Sequence, residues 1–138
     1  MVKTKILFVC TANAARSQMA EGLLRARYGD RYEAYSAGTH QSKVSKRAIE
    51  VMHEIGIDIS HHQSKTLDAV SGISFDLAVT LCDNAHAICP IVRNAARTIH
   101  HGFPDPHLTP GTDEEILTGY RRVRDEIAAW IDITFGRA

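Results

Sequence analysis

The chain is short of the features that mark several large functional classes. Its formal net charge is zero, with sixteen basic residues against sixteen acidic ones, so no overall field recruits nucleic acid or an anionic membrane. Any anion site must be local. No apolar run approaches the length that spans a bilayer; Ile6 to Cys10 and Asp76 to Leu81 are among the longest. The start, Met-Val-Lys-Thr-Lys, leads into a five-residue apolar run rather than a secretory h-region, so a cytoplasmic location is expected. There is no internal repeat, no low-complexity tract and no linker rich in Pro, Gly or Ser, which leaves one domain over 1–138 as the expected organisation. With only three cysteines, a stapled scaffold is excluded and thiol or metal chemistry is favoured.

What is present alternates between short apolar runs and amphipathic stretches. Lys5 to Cys10 (KILFVC) has the pattern of a strand buried on both faces. A helix is expected from Ser17 to Tyr28, with Met19, Leu23 and Leu24 on one stripe, then a strand from Tyr32 to Ser36. Ser45 to Ile55 reads as a helix with Ala48, Ile49, Met52 and Ile55 inward, stopped by Gly56. A helical turn at 65–70 precedes a strand from Phe75 to Leu81, and Arg97 to His100 is a fourth strand. Thr112 to Glu115 is a capping box that opens a long last helix, with Tyr120, Ile127 and Trp130 toward the core. This alternation predicts a doubly wound α/β fold, a four-stranded parallel sheet flanked by helices.

In such a fold, ligands sit beyond the carboxyl ends of the strands at a switch in strand order. Cys10 ends the first strand, and the loop Cys10-Thr-Ala-Asn-Ala-Ala-Arg16-Ser17 leads straight into a helix. A thiol is thereby placed where backbone N–H groups and a helix N-terminus converge, an arrangement suited to a tetrahedral oxyanion. Arg16 adds a planar fork for two of its oxygens. The same field favours thiolate over thiol, and Ser17 and Thr11 can donate hydroxyl protons to it. Asn13 tolerates the left-handed backbone that a tight loop often needs. Thr11, Ala12, Asn13, Ala14, Ala15, Arg16 and Ser17 are therefore the expected oxyanion-binding residues, with Cys10 as nucleophile.

The loop, followed by SQMAEG and by YSAG at 35–38, resembles the low-molecular-weight protein tyrosine phosphatase superfamily. The likeness extends through SKRAIEVMHEIGIDIS, VTLCDNA and VRDEI, nearly the whole chain. It implies that Cys10 attacks the oxyanion, Arg16 clamps it, and Asp105 of Phe103-Pro-Asp-Pro106 is the general acid. Ala12 stands where the family usually has glycine, and would add strain if that position needs a positive φ. The phosphatases of the family line their slot with aromatics, including a tyrosine after the Asp-Pro; here His107-Leu108 follows Pro106. Cys82 and Cys89 instead match the redox pair of the family's thioredoxin-coupled arsenate reductases. In the usual 2-1-3-4 strand order the first and third strands are neighbours, about 4.8 Å apart, so Cys10 and Cys82 would flank one crevice.

The resemblance implies reduction of arsenate through a Cys10–Cys82–Cys89 relay, no bound cofactor, thioredoxin as electron donor, weak phosphatase activity and a monomer. It also implies a cation site at Asn13, Glu21 and Ser36, with Lys65 in place of its last carboxylate. That lysine either fills the site by pairing with Glu21 or sits solvated on its loop. Seven helical residues rise about 10.5 Å, beyond the 4.4–6.8 Å between disulfide Cα atoms, so a helix across 82–89 would have to unwind on oxidation. A metal at Cys82, His86 and Cys89 is not expected, because no paired Cys-x-x-Cys exists. The doublets His61-His62 and His100-His101 read as solvated, as do Arg121, Arg122 and Arg124.

Overall fold

A computed structural model describes residues 2–81 and 92–136. Four strands, β1 (Thr4–Cys10), β2 (Tyr32–Gly38), β3 (Phe75–Thr80) and β4 (Ala95–His100), form one parallel sheet in the order β2-β1-β3-β4. The order reverses between β1 and β3, so the switch point lies at the end of β1, where Cys10 stands. Leu81 extends the pairing one step, its N–H donating to the Val9 carbonyl at 2.8 Å.

Three helices follow the expected pattern: α1 (Arg16–Tyr28), α2 (Lys46–His53) and α3 (Asp113–Phe135). Short 3-10 turns cover Leu67–Val70 and Pro106–Leu108. The capping box forms as read, Thr112 Oγ1 accepting from the Glu115 N–H while Glu115 accepts from the Thr112 N–H. Strand β1 alternates strictly. Ile6 and Phe8 meet Met19, Leu23, Leu24, Ile127 and Ile131 on the face covered by α1, α2 and α3. Leu7 and Val9 meet Val70, Phe75 and Ala78 on the other face.

Some expected bounds change, and β2 runs on past Ser36 to Gly38, which pairs with Cys10. Helix α2 stops at His53 because Gly56, at φ +79°, turns the chain away, so Ile55 is left 38% exposed and Val51 takes its inward place. Strand β4 begins at Ala95, two residues early, because parallel pairing with Phe75 already holds that end.

Candidate active site

The loop after β1 is fastened by its carbonyls. Thr11 O accepts from the His40 N–H (3.0 Å) and Thr39 Oγ1 (3.1 Å), and Ala12 O accepts from Ser64 Oγ (2.9 Å). Asn13 O accepts from Gln18 Nε2 (3.0 Å), Ala14 O from the Ser45 N–H (2.9 Å), and Ala15 O from the Met19 N–H (2.8 Å). No peptide bond here is cis, so each N–H opposes the preceding carbonyl across a planar unit. With the carbonyls of residues 11–15 tied to the scaffold, the N–H groups of 12–16 point the opposite way. Ala15 gives α1 no side-chain cap, leaving its N-terminal donors for an anion.

The one non-glycine residue with positive φ among those described is Asn13, at 51°. The strain expected at Ala12 is therefore absent: the left-handed step falls on the residue type that tolerates it. Gly38 is needed for a different reason. A Cβ there would lie 2.7 Å from Thr11 O and 2.8 Å from Asn13 N, so only glycine lets β2 close against the loop.

Cys10 is buried, and its Sγ lies 2.8 Å from Ser17 Oγ. Asn13 Nδ2 in turn donates to Ser17 Oγ at 2.8 Å. Of the two hydroxyls expected at the sulfur, Ser17 meets it; Thr11 is exposed at the mouth of the cleft. Arg16, 7% exposed, donates to the Phe103 carbonyl at 3.3 Å and reaches the Leu81 carbonyl at 3.5 Å. Its other terminal nitrogen stands 3.7 Å from Asp105 Oδ2. Asp105 is held by accepting the His107 N–H at 3.0 Å and opens the turn that follows. Cys10, Arg16 and Asp105 thus meet in one cleft of about 960 Å³. Its outer walls carry Lys43, Lys46, Glu50, Glu114 and the cross-cleft pair Arg47–Asp113 (3.2 Å). Among described residues Tyr120 is its single aromatic, and that side chain is buried with its hydroxyl accepting from Ser45 Oγ at 3.3 Å.

The alternatives for Lys65 are decided, and the solvated readings of His62 and Arg124 are corrected. Lys65 does not pair with Glu21; its Nζ donates to the Gln63 carbonyl at 3.3 Å. Glu21, buried, is satisfied by Ser36 Oγ (2.6 Å) and Arg25 (2.9 Å), with His62 Nε2 at 3.5 Å. His62 is not solvated. Its side chain is 5% exposed and sits between Gln18 Oε1 (2.9 Å) and Arg25 (3.1 Å). Burial pushes its pKa below the usual 6.5. Arg124 is buried too, donating to the Val51 carbonyl (2.8 Å) and Glu54 (2.9 Å), because α2 packs over that part of α3. His100, His101 and Arg122 are exposed as expected.

Gln18 and His62 are the site residues that the sequence reading passed over. The signal was the polar content of SQMAEG: Ser17, Gln18 and Glu21 are all buried on a helix that also buries Met19 and Leu23. Cys82, His86 and Cys89 lie outside the described residues, as does the expected unwinding of 82–89. Among the described residues no cluster of potential metal ligands occurs, and no helix is long and apolar enough to cross a membrane.

Residues 5–132 match the family model described as low molecular weight phosphotyrosine protein phosphatase. An arsenate reductase of Halalkalibacterium halodurans is 46% identical over 92% of this chain and 91% of its own. A solved arsenate reductase in the phosphate binding state superposes with a TM-score of 0.79 at 28% identity, over 94% of this chain and 95% of that one. A low molecular weight protein tyrosine phosphatase from T. tengcongensis superposes with a TM-score of 0.72 at 28% identity, over 94% and 96%. With the strand order, the fastened loop and these likenesses in agreement, the chain belongs to the low molecular weight phosphotyrosine protein phosphatase family.

Proposed function

We propose that this chain reduces arsenate to arsenite, using Cys10 as nucleophile and Cys82 and Cys89 as a resolving pair. The observation that carries the reading is the loop of residues 11–15: its carbonyls are turned outward, and Cys10 and Arg16 face the space where its N–H groups converge. Ala12, Asn13, Ala14, Ala15 and Arg16 supply the backbone donors, Thr11 lines the mouth of the cleft, and Ser17 supplies the hydroxyl at the sulfur. The charged outer cleft supports a small inorganic anion over an aryl phosphate, which needs an aromatic slot.

The Cys10 thiolate attacks arsenic(V) and Asp105 protonates the departing oxygen, which leaves as water. A Cys10–arsenic bond results. Cys82 sulfur then attacks Cys10 sulfur. The sulfur–arsenic bond breaks with its electron pair staying on arsenic, which departs as arsenite, and a Cys10–Cys82 disulfide forms. Cys89 attacks Cys82, releasing the Cys10 thiolate and leaving Cys82–Cys89 oxidised. Leu81, which precedes Cys82 in the sequence, is hydrogen-bonded to Val9 at the end of the sheet where Cys10 stands.

Thioredoxin, a dithiol protein able to reach an accessible disulfide, is the proposed reductant; no bound cofactor is needed. The chain works as a single-domain monomer in a reducing cytoplasm, with the oxyanion and thioredoxin as its partners. The test is a coupled assay following NADPH with arsenate, thioredoxin and thioredoxin reductase. Cys10→Ser should abolish both arsenate reduction and hydrolysis of a chromogenic phosphate ester. Cys82→Ala or Cys89→Ala should abolish reduction alone. Equal loss of both activities in Cys82→Ala would overturn the relay.

A further inference from the structure

The cleft is far larger than the anion held by the loop. A tetrahedral oxyanion has the bulk of two or three waters, roughly 60–90 Å³. The cleft measures about 960 Å³, within the range that takes whole organic ligands. Much of its lining beyond the loop comes from the head of α2 and the residues just before it, and that wall is made of donors. Ser45 Oγ caps α2 by accepting the Ala48 N–H at 3.3 Å, and donates its own proton to Tyr120 Oη at 3.3 Å. The phenol oxygen is the acceptor in that contact, and the phenol proton has no acceptor among the described residues. Tyr120 is 2% exposed and lines the cleft, so only what enters the cleft can take that proton.

The first turn of α2 points the same way. It holds no acidic residue, and the N–H groups of Lys46 and Arg47 have no acceptor among the described residues. Most charges of the lining are matched: Arg16 faces Asp105, Arg47 faces Asp113, and Glu114 is held by Arg121. Lys43, Lys46 and Glu50 line the cleft with no ion-pair partner among the described residues, which leaves one positive charge in excess.

We propose that this wall is a second anion subsite, and that the cleft takes a small aliphatic phosphomonoester carrying a carboxylate. The phosphate rests in the loop, while the carboxylate accepts from Tyr120 Oη and faces Lys43 and Lys46. The two positions adjoin, because the Ser45 N–H donates at 2.9 Å to the carbonyl of Ala14, a residue of the loop. A short linker therefore suffices. It is aliphatic because no stack of aromatic rings lines the cleft among the described residues. Such an ester occupies the loop and so competes with arsenate.

The inference rests on the loop holding the first oxyanion, and inorganic phosphate tests that separately. Titration calorimetry of the reduced full chain, near pH 7.5 and at low salt, compares phosphonopropionate with ethylphosphonate, which lacks the carboxylate. The carboxylate should tighten binding about 10- to 30-fold, mostly through one hydrogen bond from a buried donor to a charged group. Tyr120→Phe removes that donor and should cut the gain at least about three-fold. Lys43→Met/Lys46→Met should cut it about two- to five-fold, as exposed pairs do, and about 0.5 M salt should erode the same share. Glu50→Gln should raise it. Every variant should bind inorganic phosphate within about two-fold of the parent. Both lysines are exposed, so their replacement tests the subsite even if Tyr120→Phe failed to fold. Equal affinity for the two phosphonates, or a gain that survives in the lysine variant, would overturn the subsite while phosphate binding stood. A parent that did not bind inorganic phosphate would overturn the cradle, and the subsite with it.

Discussion

Gly38→Ala tests the cradle without replacing any residue proposed to act in the chemistry. Gly38 is the last residue of β2 and pairs with Cys10, and its φ lies outside the left-handed region, so alanine costs nothing by backbone preference. The cost is contact. An added methyl would stand 2.7 Å from Thr11 O, 2.8 Å from Asn13 N and 3.0 Å from Cys10 O. The first is roughly 0.7 Å short of the 3.4 Å at which ordinary contact begins, and all three atoms are backbone, which cannot rotate away. Thr11 O is also held by His40 and Thr39, so relief must come from moving the loop as a whole. Overpacking of this kind costs about 1–3 kcal/mol and should lower the melting midpoint by about 4–10 °C. A displacement near 1 Å at reacting groups costs on the order of 100-fold, so a smaller one should lower kcat/KM for arsenate by about 10- to 30-fold. Phosphate, as a competing ligand, should weaken in parallel, because the same N–H donors hold both. Melting, phosphate titration and the coupled reductase assay on one preparation separate the effects. A folded Gly38→Ala protein with parental phosphate affinity and turnover would show that the loop tolerates displacement, and the reasoning would fail.

Three further outcomes are expected. Arg124→Ala should destabilise by about 2–3 kcal/mol in urea unfolding, since it strips the buried Val51 carbonyl and Glu54 of a donor, while Arg124→Met should recover part by keeping the stem; a loss under about 0.5 kcal/mol would count against the buried role. Potassium and sodium should support equal reductase rates, because Arg25, Ser36 and His62 already surround Glu21; selective activation by potassium would contradict this. Burial lowers the folded-state pKa of His62 below 6.5, so the unfolded chain binds its proton first. Its contribution is fully present above pH 6.5 and lost as pH falls from there through the folded-state value. A melting midpoint that declines from pH 7 to 5 in the parent but not in His62→Asn is the expected signature. The carboxylates of Glu54, Asp58 and Asp132, held below their usual 4.5, 3.8 and 3.8 chiefly by hydrogen bonds, lose their contributions only at lower pH.

The parts of this architecture that local chemistry decides were legible in the sequence. The Thr112–Glu115 capping box depends on four consecutive residues, and the strand ending at Cys10 is a run of side chains that suit burial on both faces. Cys10, Arg16 and Asp105 were legible as a pattern, and the structure brings all three into one cleft. What was not legible depends on tertiary neighbours. Arg124 sits in a stretch rich in charge and reads as solvated until α2 is laid over it. His62 reads as a loop residue until α1 turns Gln18 and Arg25 toward it. Lys65 stands where the resemblance puts the last carboxylate of a cation site, which suggested a pairing with Glu21, but its backbone N–H serves Asn13 and Arg25 reaches the carboxylate first. Strain at Ala12 was conditional on a positive φ where the family usually has glycine; the backbone places the left-handed step at Asn13 instead.

The five outward carbonyls of the loop have a consequence for the life of the chain before it folds. Their partners come from Gln18 and Met19 just downstream, from Thr39 and His40 after β2, from Ser45 at the head of α2, and from Ser64 beyond it. A newly made or unfolded chain has none of these long-range anchors, so no fixed array of N–H groups stands beside its Cys10. The oxyanion cradle is created by tertiary structure and disappears with it. Any chemistry that needs the cradle, as proposed for Cys10, is confined to folded molecules.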